Sequence, residues 1–211
     1  MSRTSPRALL VAVLATAVVA GTAGWGLRAF SEGAAEDPAP SAVDIGFSQD
    51  MAVHHEQGVL MASIAARRGT GVVRTIATSI VESQSQETGT MRGWLALWDA
   101  PQLVDGPPMT WMAERHGHGG ADDEDEDGEA MPGMATTGDL QQLEAASGPR
   151  CDRIFLRLMV AHHRGAIVMA GDAARRASLP TVRQLAGRIA REQAQEVVQL
   201  ETLRREAASR S

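Results

Sequence analysis

From residue 44 onward, apolar positions recur at steps of three and four, the period of an amphipathic helix. Over 44–68 one face collects Met51, His54, His55, Gly58 and Met61. Over 72–98 the stripe reads Val73, Ile76, Ile80, Glu87, Met91, Trp94 and Trp98. Two later stretches, 149–177 and 180–208, repeat the arrangement. The first of them carries Met159, His162, His163, Ala166 and Met169, and the second Val182, Leu185, Ile189, Glu196, Leu200 and Leu203. Gly69 and Pro101 mark helix ends, and Pro180 suits a first helical turn, where its missing N–H costs nothing. No stretch alternates with period two over a useful length, so strands are not expected. The pattern predicts an all-α, four-helix bundle made of two αα-hairpins.

The two hairpins are one unit used twice. An offset of 108 positions superposes 47–68 on 155–176 with ten of 22 pairs identical, including Phe47/Phe155, Met51/Met159, His54/His162, His55/His163 and Met61/Met169. One extra residue near Pro180 extends the match to Gln84/Gln193, Gln86/Gln195 and Glu87/Glu196. The bundle domain is therefore placed at 43–211, with repeat one at 43–98, a Met/His/acidic linker at 99–138, and repeat two at 139–211. The linker lacks periodicity apart from a short helix expected near 136–146. It is expected to be solvated and dispensable for folding.

Ahead of the bundle, Arg3 and Arg7 precede an uncharged run over 8–27, long enough as a helix to cross about 30 Å of hydrocarbon. Residues 1–30 read as a signal anchor or a cleaved signal peptide, and the length of the run favours the anchor. Residues 31–42, rich in Ala, Pro and acids, read as a tether. Both readings export the bundle, giving a single-pass membrane protein with an extracytoplasmic domain, or a secreted or periplasmic one after cleavage. The membrane is an expected partner through this helix.

Charge narrows the function. The net charge is −6, yet seven acids crowd into 122–129, and without them 19 acids face 20 bases. No basic excess remains to neutralise phosphates, and with 3% aromatics and no Tyr no stacking platform is expected, so nucleic acid is excluded as a partner. A single cysteine, Cys151, rules out an internal disulfide framework and a cysteine-rich zinc site, and reads as a small core residue.

Six histidines stand in three pairs, His54/His55, His116/His118 and His162/His163, and methionines flank each pair. Methionine at helical spacing is commonly core filler. A doublet of imidazoles kept in both halves is harder to explain by packing, because unpartnered buried polar groups cost about 1–3 kcal/mol each. Thioether and imidazole together suit copper, Cu(I) above all. The candidate metal ligands are Met51, His54, His55, Met61, Met159, His162, His163 and Met169. Glu87 and Glu196, on inward stripes, are expected either to bind the metal or to orient a histidine by accepting its N–H. Met109, Met112, His116, His118, Met131 and Met134 form an auxiliary set in the linker. Di-iron Glu-x-x-His, His-Glu-x-x-His, phosphate-loop, Rossmann and Gly-x-Ser-x-Gly motifs are all absent from the sequence. The expected function is extracytoplasmic binding of copper, Cu(I) or Cu(II), for buffering, sequestration or delivery, with catalysis left open and not favoured. A metal-dependent oxidase on the same bundle and a metal-free structural module are the alternatives. Homo-oligomerisation and a delivery partner are left open.

The spacings Phe47-x3-Met51-x2-His54-His55, Met61-Ala62, Gln86-Glu87, Met131-Pro132-Gly133-Met134, Leu140-x2-Leu143, Asp152-x2-Phe155 and Met159-x2-His162-His163 resemble the bacterial family catalogued as domain of unknown function 305. The resemblance spans about 44–205. It implies a ferritin-like fold, export, and copper held through Met and His. The long acidic insert and Cys151 depart from the family pattern.

Overall fold

The computed structural model describes residues 38–115 and 131–209. The predicted signal segment, most of the tether, His116, His118 and the acidic run lie outside the described residues. Helix α1, Ala42–Arg68, starts at Ser41, whose hydroxyl caps the Asp44 N–H while its own N–H donates to the Asp44 carboxylate. Helix α2 spans Gly71–Leu97, a single 3-10 turn spans Thr110–Arg115, and the short α3 spans Thr137–Glu144 behind a Thr136/Asp139 capping box. Helix α4 is Gly148–Arg176 and α5 is Pro180–Ser209. Every regular element among the described residues is helical, as the periodicity predicts, and none is long and apolar enough to cross a membrane.

Helices α1 and α2 form one hairpin, α4 and α5 the other, and the hairpins meet mainly through α1 against α4. Two apolar cores result. One gathers Phe47, Met51, Met91, Met169, Val182 and Ile189. The other gathers Met61, Ile80, Phe155, Met159 and Leu200, with Leu143 of α3 and the buried Cys151. The histidine doublets fall between them along α1 and α4.

A pair of aspartates ties the hairpins together. Asp44 of α1 is fully buried and accepts from the Ser178 and Leu179 N–H groups at 3.1 and 3.0 Å, in the α4–α5 turn. Its repeat counterpart Asp152 of α4 accepts from Thr70 N–H at 2.9 Å and from the Thr70 hydroxyl, in the α1–α2 turn. Each hairpin thus caps the turn of the other.

The linker departs from expectation. Its acidic middle is outside the described residues, but both flanks are packed parts of the bundle. Trp111 and Met112 are buried in the first core, Trp111 Nε1 donates to Asp50 at 2.8 Å, and Arg176 donates to the Trp111 carbonyl. Burial raises the Asp50 pKa, against the lowering effect of the Met109 N–H and Trp111 bonds. On the other flank Met131 is buried, and Gln57 clamps Ala135 by donating to its carbonyl and accepting its N–H. Deleting the whole of 99–138 would therefore open a core and orphan buried polar groups. No periodicity announced this, because the flanks pack through single side chains and backbone contacts.

Backbone meets backbone at Gly165. A Cβ there would collide with the Pro132 carbonyl oxygen, and one at Gly133 would collide with the Ala161 carbonyl oxygen. Gly165→Ala is accordingly expected to push the 131–135 segment off α4 and to cost about 1–3 kcal/mol, read as a lower urea midpoint. Wild-type stability in this variant would mean that the close approach is not required.

Candidate metal centre

All four bundle histidines are fully buried. His54 Nε2 donates to the Pro132 carbonyl at 3.0 Å, and His162 Nε2 donates to the His54 carbonyl at 2.8 Å. His55 Nε2 pairs with Glu87 at 2.9 Å and His163 Nε2 with Glu196 at 2.5 Å. A carbonyl only accepts, so the Nε2 of His54 and His162 must carry the proton; the carboxylates set the same tautomer in His55 and His163. The Nδ1 of His54 and of His162 is then a bare lone pair. All four Nδ1 atoms are buried and have no hydrogen-bond partner.

The helix crossing decides how the repeats combine. The rings of His54 and His162 lie 3.8 Å apart between centroids at 31°, so the two halves contribute to one constellation. His55 and His163 flank it at 6.4 and 6.3 Å from their neighbours' rings. Burial, reinforced by the neighbouring His55, lowers the His54 pKa to about 3. Burial and then the neighbouring His54 hold His162 well below its ordinary value. Both rings are neutral at physiological pH, the form that binds metals.

The methionines divide across the repeats. Met51 shares its core with Met169, and Met61 shares the other with Met159. The first core also takes in Met91, Met112 and Met131, with Met109 and Met134 packed against it. The auxiliary methionines thus extend the same thioether-rich end, while His116 and His118 lie outside the described residues. Glu87 is buried and also approaches Arg188 of α5 at 4.0 Å, whereas the Glu196 side chain is 25% exposed. Each carboxylate meets the Nε2 of one histidine, Glu87 that of His55 and Glu196 that of His163. Among the described residues no three His, Cys, Asp or Glu side chains form a ready metal cluster. The donors that could hold an ion are the imidazole Nδ1 atoms, with methionine thioethers in the cores on either side, donor types that suit a soft ion such as copper.

A family model, Domain of unknown function (DUF305), matches residues 44–204. The chain belongs to the DUF305 family. A putative secreted DUF305 protein from Streptomyces coelicolor is 34% identical, with 79% of this chain and 94% of that one covered at a TM-score of 0.69. A DUF305 fragment from Deinococcus radiodurans is 27% identical, covering 80% and 99% at a TM-score of 0.63. CopM in its Cu(I)-bound form is 22% identical, covering 77% and 96% at a TM-score of 0.57, a likeness of fold. No curated protein matches.

Two site features escaped the sequence reading. The Pro132 carbonyl fixes the His54 tautomer, which no side-chain motif could reveal. Gln84 and Gln193 were visible as a repeated pair, but glutamine on a helix ordinarily reads as a solvated position.

Proposed function

We propose that this DUF305 protein is an extracytoplasmic copper-binding protein that buffers, sequesters or delivers the ion. The observation that carries the reading is the set of four buried imidazoles with Nε2 engaged and Nδ1 unpartnered. Leaving lone pairs buried and unmet is costly, and a soft cation is the partner that matches imidazole and thioether together. Proposed ligands are His54, His55, His162 and His163 through Nδ1, with Met51, Met61, Met159 and Met169 as thioether donors. Glu87 and Glu196 hold the outer nitrogens, a common device for fixing a metal-binding ring. The solved forms of CopM, with Cu(I), Cu(II) and silver, support the choice of metal. The secreted description of the Streptomyces relative supports the compartment.

Competition titration of the full chain with Cu(I), Ag(I) and Zn(II) tests the reading. Cu(I) and Ag(I) should bind more tightly than Zn(II), because the thioether donors strengthen binding of the soft ions and add nothing for Zn(II). At a hundredfold excess over Kd the ion should add about 2.7 kcal/mol of stability. His54→Ala with His162→Ala should abolish tight binding, because the two halves supply one constellation. Met51→Leu with Met61→Leu should weaken Cu(I) while barely changing metal-free stability. Equal or tighter Zn(II) binding, or indifference to these changes, would sink the copper reading.

A further inference from the structure

Among the described residues, eight side-chain nitrogen and oxygen atoms are buried without a hydrogen-bond partner. Four are the histidine Nδ1 atoms. The other four are the amide nitrogen and oxygen of Gln84 and of Gln193, residues that are 1% and 3% exposed. The two glutamines are repeat counterparts, each one helical turn before the glutamate that holds a histidine. Buried amides ordinarily satisfy both ends. Here both ends go unmet, in both halves, at the same position.

Gln84 lies beside the histidines. A Cβ on Gly58 would collide with Gln84 Oε1, and the same point lies 2.8 Å from His162 Cε1. Cε1 is bonded to both ring nitrogens, so the space at Gly58 is where the Gln84 amide oxygen and the edge of the His162 ring converge. The absence of a side chain at Gly58 is what gives the amide this room. Six of the eight unmet atoms, four nitrogens and two oxygens, can accept or ligate, which is more than the two amide groups could satisfy by turning toward each other.

We propose that Gln84 and Gln193 are oxygen ligands that let the histidine centre hold Cu(II) as well as Cu(I). The inference rests on the copper-binding reading above. Cu(I) is content with few soft donors, so thioether and imidazole suffice for it. Cu(II) is harder and takes a tetragonal set of nitrogen and oxygen atoms, which methionine cannot supply and which Nδ1 atoms with amide carbonyls can. The glutamines give the interior a second donor type without adding charge.

The test measures Cu(II) and Ag(I) affinities and the metal-free melting temperature of the full chain carrying Gln84→Leu with Gln193→Leu. Cu(II) binding should weaken by at least about tenfold, the scale on which metal sites respond to loss of a supporting group. Ag(I) binding should be unchanged. The metal-free protein should melt higher, because the change removes four unmet polar atoms from the interior. A lower melting temperature would show that the amides serve packing or bound water, and unchanged Cu(II) affinity would show that they do not reach the ion; either overturns the proposal. Should the leucine variant fail to fold, Gln84→Met with Gln193→Met keeps the side-chain length and must lose Cu(II) by the same factor. His54→Ala with His162→Ala separates the two levels of inference: if it leaves both ions bound, the copper reading itself fails.

Discussion

Asp44→Ala is expected to lower the free energy of unfolding by about 3–5 kcal/mol, the cost of stranding buried donors that bonded a charged group. The carboxylate accepts from Ser41 at the start of its own helix and from Ser178 and Leu179 of the opposite hairpin. Water has no access to this fully buried group, so alanine leaves the turn N–H groups unpaired and removes the carboxylate half of the α1 capping box. Asp152→Ala should cost somewhat less, because Thr70 alone is left behind. Urea denaturation of the two single variants and their combination measures both. An effect within the range of ordinary surface substitutions at Asp44 would mean that the cross-hairpin cap contributes nothing.

Mild acid should destabilise the metal-free protein through His54 and His162. Both fold in the neutral form, with His54 at about 3 against an ordinary 6.5 and His162 also lowered. Below 6.5 the unfolded chain takes up protons that the folded chain refuses, so stability falls as the pH falls. It is fully present above 6.5 and is lost progressively down to about 3 for His54. The slope is about 1.4 kcal/mol per pH unit for each histidine. Carboxylates also titrate toward the acid end, so the comparison that isolates the effect is with His54→Leu and His162→Leu together. That variant should show a flatter profile of urea midpoint against pH from 6.5 downward. Parallel profiles would refute the assignment.

The helices were legible because each is long, periodic and bounded by recognisable chemistry such as Gly69 and Pro180, although the Ser41 cap and the start of α1 at Ala42, inside the expected tether, were not read. The short helix behind Thr136 was legible for the same reason. The repeat also disclosed which side chains belong together, since Met51, His54 and His55 recur with their spacing intact. What an offset cannot disclose is how two copies meet. Whether His54 faces its own repeat or stacks on His162 depends on the crossing of α1 and α4, which is set by packing over the whole interface. The docked flanks of the linker were hidden for a different reason. Trp111 seats on Asp50, and Asp50 has only Leu158 as its counterpart, so no repeated pattern marks that contact.

The reciprocal capping by Asp44 and Asp152 has a consequence for how such a chain could arise. One hairpin alone would leave its turn N–H groups without a carboxylate, yet two identical hairpins facing each other would supply one to each turn. The contacts match those that two separate copies of one hairpin would make across a homodimer interface. Joining the copies released each from having to match itself. Position 57 is a glutamine that clamps Ala135, while its partner 165 is a glycine that admits Pro132, so a single strap meets the two repeats in two different ways. A true dimer could not have evolved that division of labour, because every substitution would have appeared on both sides at once.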